Sequence, residues 1–200
     1  DLGVIFPPIQ ISGNNPLEPG SYRIWLNEVP IAKGNIRLDG VLVKSNARNL
    51  VLYGIQGEDT KHPATGKPAA WIPKESRERA VTAGVELWET HEVLTMHVSH
   101  FLRKHARDFL GLQEVQWMLN SLKEYYPNLV EEVVPKIVSL QQLTEILQRV
   151  VEEGTSIRDL KAILQCLSEW GRSSREVAAL SEQVRVALKR KICYQISEGS

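Results

Sequence analysis

Cysteine is scarce in this 200-residue chain: Cys166 and Cys193 are its only two, both in helical-looking segments and in no ligand spacing. That excludes a disulfide scaffold and a zinc ribbon, and both thiols read as reduced, buried residues of a reducing compartment. Net charge is missing as well, since 24 Lys+Arg stand against 24 Asp+Glu and the sequence pI is near 7.1. A general binder of nucleic acid or of an anionic membrane needs a surplus of Lys and Arg, so the balance argues against both. No apolar run approaches the ~20 residues that cross a bilayer, so the chain itself is not expected to span a membrane. The start Asp1-Leu2-Gly3 has neither an initiator Met nor the charged n-region of a signal peptide, and the chain stops at Ser197-Glu198-Gly199-Ser200. Both ends read as cuts in a longer protein. What is present is ordinary for a globular protein with a real core: 42% hydrophobic and 24% charged residues.

The two halves differ in texture. In residues 1–60 short apolar runs alternate with Gly, Pro and Asn: Gly3–Ile11, Tyr22–Leu26, Val29–Ala32, Ile36–Leu38, Val41–Val43 and Leu50–Ile55. Tyr22-Arg23-Ile24-Trp25-Leu26 between turn signals predicts a strand, and Leu50-Val51-Leu52-Tyr53 reads as the clearest of several that follow. Residues 56–70 read as a polar loop. A helix is expected from about Lys74 to Ala83, ended by Gly84 and followed by a short strand Val85–Trp88. From Thr90 the apolar residues recur at spacings of three and four, through Val93, Met96, Val98, Phe101 and Leu102 to Ala106, Phe109 and Leu110. Gly111 is expected to divide or hinge this segment from a helix Gln113–Tyr125 that Pro127 closes. Ser139 with Gln142, Ser156 with Asp159 and Ser173 with Glu176 then mark the starts of three compact helices. The fold class is therefore α+β: strand-rich at the front, all-helical at the back.

Motifs for catalysis fail one by one. His91-Glu92-Val93-Leu94-Thr95 begins like the two-histidine zinc-protease helix, but Thr95 replaces the second histidine. His97 and His100 share a helix face and lack a third ligand, so a metal-dependent hydrolase on the His91–His100 cluster is kept only as an alternative. Gly66-Lys67 lacks the remaining residues of a phosphate loop, no nucleophile elbow occurs, and no His neighbours either Cys. A helix-turn-helix around Gly154 is the other alternative, weakened because its second helix opens with only Arg158 and Lys161 as basic residues. Lys189-Arg190-Lys191 suits a helix C-terminus. No catalytic, metal or cofactor residue emerges, and an enzyme is not expected.

One resemblance covers about residues 1–196. Gly66-Lys67-Pro68-Ala69-Ala70-Trp71-Ile72, then Gly84, His97-Val98, His105-Ala106-Arg107-Asp108-Phe109-Leu110-Gly111-Leu112-Gln113-Glu114, Pro127 with Leu129-Val130-Glu131-Glu132 and Val134-Pro135, Ser139-Leu140, Ile146-Leu147-Gln148, and Glu153-Gly154-Thr155-Ser156-Ile157-Arg158-Asp159-Leu160 follow in order. Together they resemble the cytosolic domain of the type III secretion export-gate protein, the flagellar/hypersensitivity/invasion export pore family. The resemblance implies a module tethered at the cytoplasmic face of the bacterial inner membrane, assembled as a nonameric ring. It also implies export chaperones with their substrates, and other export-apparatus and ATPase-complex proteins, as partners. By the same match the first subdomain takes 1–40 and 90–109, an inserted second takes 41–89, and a helical third takes 110–196. A fourth subdomain and the membrane domain lie outside the chain. In flagellar relatives a chaperone-docking dimple carries an Asp-Pro-Ala-Phe-Gly loop and a Thr-His-Leu threonine. The corresponding positions here are His62-Pro63-Ala64-Thr65-Gly66 and Met96-His97-Val98. His62, Thr65 and Met96 are thus the expected partner-binding residues. Their departure from the flagellar side chains points to an injectisome homologue, of the virulence or symbiosis type.

Overall fold

A computed structural model describes the backbone of residues 2–13 and 16–197, with side chains through 189. The chain divides into two compact units, residues 9–101 and residues 1–8 with 102–200.

In the first of these, β1 (Ser21–Leu26) and β2 (Val29–Asn35) form an antiparallel ribbon. Its two-residue turn places Asn27 and Glu28 at positive φ, the geometry that matches the strands' own twist. A four-stranded antiparallel sheet has the order β4–β5–β3–β6, built from β3 (Gly40–Val43), β4 (Glu58–Lys61), β5 (Pro68–Pro73) and β6 (Leu87–Trp88). Every residue of β3 is buried, because both faces of the sheet are covered. Val41 and Val43 pack with Leu50, Ile55, Ala70, Ile72 and Ala80, beneath α1 (Ala47–Leu50) and α2 (Arg77–Thr82). Leu42 points the other way, into a cluster of Ala69, Trp71, Trp88 and Val93. Val93 belongs to α3 (Thr90–Lys104).

The other unit is helical: α4 (Leu112–Lys123), α5 (Pro127–Val133), α6 (Leu140–Glu152), α7 (Leu160–Trp170) and α8 (Val177–Ser197). The stripes share one core, in which Leu143, Ile146 and Leu147 of α6 meet Ile163, Leu164 and Leu167 of α7 and Leu180, Val184 and Leu188 of α8. Each such side chain contributes about 1.5–3 kcal/mol on burial. The leading segment joins this core. Leu2 accepts a hydrogen bond from the Ile157 amide at 2.9 Å, Val4 is buried, and Phe6 meets Phe109 edge-on.

The α+β reading holds, as does the capping box of α6, where Ser139 Oγ accepts from the Gln142 amide while Gln142 accepts from the Ser139 amide. Several local expectations are corrected. Leu50–Tyr53 is not a strand but the end of α1 and a 3-10 turn. Asn46 caps α1 by accepting from the Asn49 amide, and Gly54 closes the turn at positive φ. That capping competes with the β-propensity of Val51, Leu52 and Tyr53, which stay exposed. Residues 56–70 carry strand β4 and the start of β5 instead of an extended loop; polar Glu58–Lys61 forms the sheet's solvated edge. The Lys74–Ala83 helix is a 3-10 turn followed by α2, and only Leu87–Trp88 of the following segment pairs as strand. Neither Gly3–Ile11 nor Ile36–Leu38 forms a strand.

Pro127 opens α5 where it was expected to close α4, since a proline at the first helical position loses no hydrogen bond. Asp159, not Ser156, caps α7 by accepting from the Ala162 amide, and α8 begins at Val177, after Ser173. Gly111 sits at φ −91°, which any residue adopts, so the dihedral argument for a hinge there fails. Cys166 is buried, and burial pushes its thiol pKa up; the side chains of Arg190, Lys191 and Cys193 lie outside the described residues.

Candidate functional site

The sequence-expected residues fall at the end of one hairpin and on one helix. The β4–β5 hairpin closes through His62–Lys67: the His62 amide donates to the Lys67 carbonyl at 2.8 Å, and the Gly66 amide to the His62 carbonyl at 2.8 Å. Gly66 takes a positive φ to make that return. The His62 ring turns inward and is 2% exposed. Its Nδ1 accepts from the amides of Ala64 at 3.2 Å and Thr65 at 3.3 Å, so the imidazole does for this turn what an Asn or Asp side chain commonly does. Two donors on Nδ1 leave the proton on Nε2. That Nε2 has no hydrogen-bond partner among the described residues. The ring stands edge-to-face against Trp88, centroids 4.7 Å apart. Thr65 is exposed and its Oγ1 accepts from the Lys67 amide at 3.4 Å.

Met96 sits half-buried on α3, and its neighbour His97 is buried. Tyr22 of β1 lies 2.6 Å from His97 Nδ1. Burial raises the Tyr22 phenol to about 12, so it stays protonated and serves as the donor. The His97 ring also packs on Phe101, with centroids 5.0 Å apart. Desolvation by burial lowers the pKa of both His62 and His97. The charges of His100 and His62 lower that of His97 further, which puts His62 and His97 in one electrostatic neighbourhood. The arrangement is therefore two neutral imidazoles among aromatic rings, one carrying the turn that presents Thr65. Sequence reasoning named His62, Thr65 and Met96. It missed Tyr22 and the particular role of Trp88, since a contact between residues 75 apart leaves no periodicity to read.

Neither alternative gains a site. Among the described residues no three His, Cys, Asp or Glu side chains are grouped to hold a metal ion. Glu92, the would-be base, accepts the Glu89 amide at 2.8 Å at the start of α3, and His91 and His100 are exposed. At the helix-turn-helix candidate, Lys161 lies over the Tyr126 ring at 4.2 Å, leaving its ammonium occupied.

The model of one family, the FHIPEP family, matches residues 1–200. The chain belongs to the FHIPEP family. A relative, the low calcium response locus protein D of Yersinia pestis, is 40% identical over 200 residues, covering 100% of this chain and 28% of the relative. In the solved complex of Chlamydia pneumoniae CdsV and CdsO, a chain 37% identical superposes with a TM-score of 0.88, covering 100% of this chain and 61% of that one. The cryo-EM structure of nonameric EPEC SctV-C is 25% identical with a TM-score of 0.73, covering 95% of this chain and 57% of that one. The FHIPEP chain thus spans less than a third of the curated relative's length. The resemblance to the cytosolic domain of a type III secretion export-gate protein is borne out. No helix among the described residues is long and apolar enough to cross a membrane.

Proposed function

We propose that this chain is part of the cytosolic domain of an injectisome export gate, at the cytoplasmic face of a bacterial inner membrane. It assembles there in a ring and docks export chaperones with their substrates. The observation that carries this reading is the family match over residues 1–200, supported by the likeness to the nonameric SctV-C. The ring runs mainly through the helical residues 110–196, and the docking surface is the neighbourhood of His62, Thr65 and Met96. Residues 1–40 with 90–109 and residues 41–89 act as the two subdomains that frame it. A surface of paired charges fits such contacts, since exposed pairs such as Lys123–Glu131 at 2.8 Å and Arg172–Glu132 at 3.0 Å set local complementarity, not a long-range field. The role we propose is non-enzymatic recognition, a reading supported by neutral imidazoles packed among aromatic rings and, among the described residues, by no group of His, Cys, Asp or Glu placed to hold a metal ion.

The solved complex of CdsV with CdsO supports a further protein partner, which we take to be another export-apparatus or ATPase-complex protein. Imaging the intact protein within its assembled secretion complex tests the ring: nine copies with contacts in the helical unit are expected, and isolated monomers would overturn it.

A further inference from the structure

The His62 side chain clamps its turn only while Nδ1 is bare, because the two side-chain hydrogen bonds, from Ala64 and Thr65, end on that atom, beside the backbone bonds His62–Lys67 and Gly66–His62 that protonation leaves in place. A proton on Nδ1 would set an N–H against two N–H groups, removing both bonds at once. It would also leave a cation in a site that is 2% exposed and has no partner for Nε2. Burial is what shifts the His62 pKa, and among the described residues no carboxylate relieves that cost. From α3, His97 interacts electrostatically with His62, and His100 acts on His97 in turn; both are cationic when protonated. From β6 the ring meets uncharged Trp88, and Lys61 and Lys67 flank the turn along its own hairpin.

We propose that the His62–Gly66 turn is a proton-operated latch on the docking surface, closed when His62 is neutral and released when it is protonated. This rests on the docking reading for its purpose but not for its existence. Release frees the ring from Trp88 and changes how Thr65 is presented, so that a partner recognising the closed turn would be let go in mildly acidic surroundings. The sign follows from linkage. His62 binds its proton more weakly in the closed turn than in the open one, so the closed form keeps its full advantage above about pH 6.5. Below that value it loses up to about tenfold per pH unit.

The test is NMR of the 200-residue chain between pH 7.5 and 5.0, following the His62 imidazole nitrogens and the Ala64 and Thr65 amides. At pH 7.5 the Nε2–H tautomer is expected. Below pH 6.5 the two amides should shift and lose exchange protection, corrected for intrinsic rates, in step with the appearance of the His62 imidazolium. His62→Asn supplies a non-titrating acceptor for the same two amides and should keep them protected throughout. The latch is overturned if His62 titrates while both amides stay unmoved, if nothing changes down to pH 5.0, or if His62→Asn releases them with the same profile. None of these readouts requires a chaperone, so failure to bind one would bear on the docking reading alone.

Discussion

Gly3 and Gly154 share the same positive φ, +76°, in opposite surroundings, which isolates the seating of the leading segment on the helical unit. An alanine Cβ at Gly154 meets nothing within 4 Å, so Gly154→Ala carries only the left-handed penalty, about 1–2 kcal/mol. At Gly3 the same Cβ would lie 2.6 Å from the Arg158 backbone nitrogen and 2.9 Å from its Cα, atoms that a rotamer change cannot move. The segment must therefore lift. Lifting removes the Leu2–Ile157 hydrogen bond, worth about 1 kcal/mol net, and withdraws Val4 from the core, about 1.5–2 kcal/mol. Gly3→Ala should thus cost roughly 2–3 kcal/mol more than Gly154→Ala. At ~2–4 °C per kcal/mol for a chain of this length, its Tm should fall about 4–12 °C further. Thermal unfolding of both variants at pH 7.5, followed by circular dichroism at 222 nm, makes the comparison. Equal melting temperatures would refute the claim that the leading segment is packed against Arg158 and contributes to that core.

Tyr22→Phe leaves His97 Nδ1 buried without its donor and should destabilise the chain by about 1–3 kcal/mol. In a double-mutant cycle with His97→Phe, denaturant unfolding should show clear non-additivity. Ser139→Ala removes one half of the α6 capping box and should cost about 1 kcal/mol, read from the same titration, with Ser173→Ala near zero because α8 starts beyond it. Because His62 and His97 both bind protons more weakly when buried, stability should be steady above about pH 6.5 and fall as the pH drops below it. Unfolding free energies measured from pH 8 to 5 check this, and the His62→Asn, His97→Phe double variant should flatten the profile.

Elements were legible where one signal stood alone. The α6 stripe with Ser139 and Gln142 reads directly, because cap and periodicity agree and the helix is amphipathic. Val41–Val43 reads as a strand because an apolar run this short suits a sheet covered on both faces. Where two signals competed, the weaker won in the reading. Apolar Leu50–Tyr53 outweighed the Asn46 cap, and the polarity of Glu58–Lys61 hid an edge strand whose partner, β5, lies across a turn. Pro127 shows the same ambiguity, since one residue both ends a helix and begins the next. At the candidate site the positions of His62, Thr65 and Met96 came from resemblance. The inward turn of His62 depends on Trp88 and on two amides of its own loop, and the Tyr22–His97 bond depends on how a ribbon meets α3. Those are tertiary facts that no spacing encodes.

The docking claim is tested most directly by titrating a chaperone–substrate complex, from the secretion system that encodes this protein, onto the purified chain and onto its Met96→Asp variant, with matched melting temperatures as the folding control. Saturable binding that Met96→Asp weakens tenfold or more is the result expected. Binding of equal strength to both proteins would contradict a docking surface around His62, Thr65 and Met96.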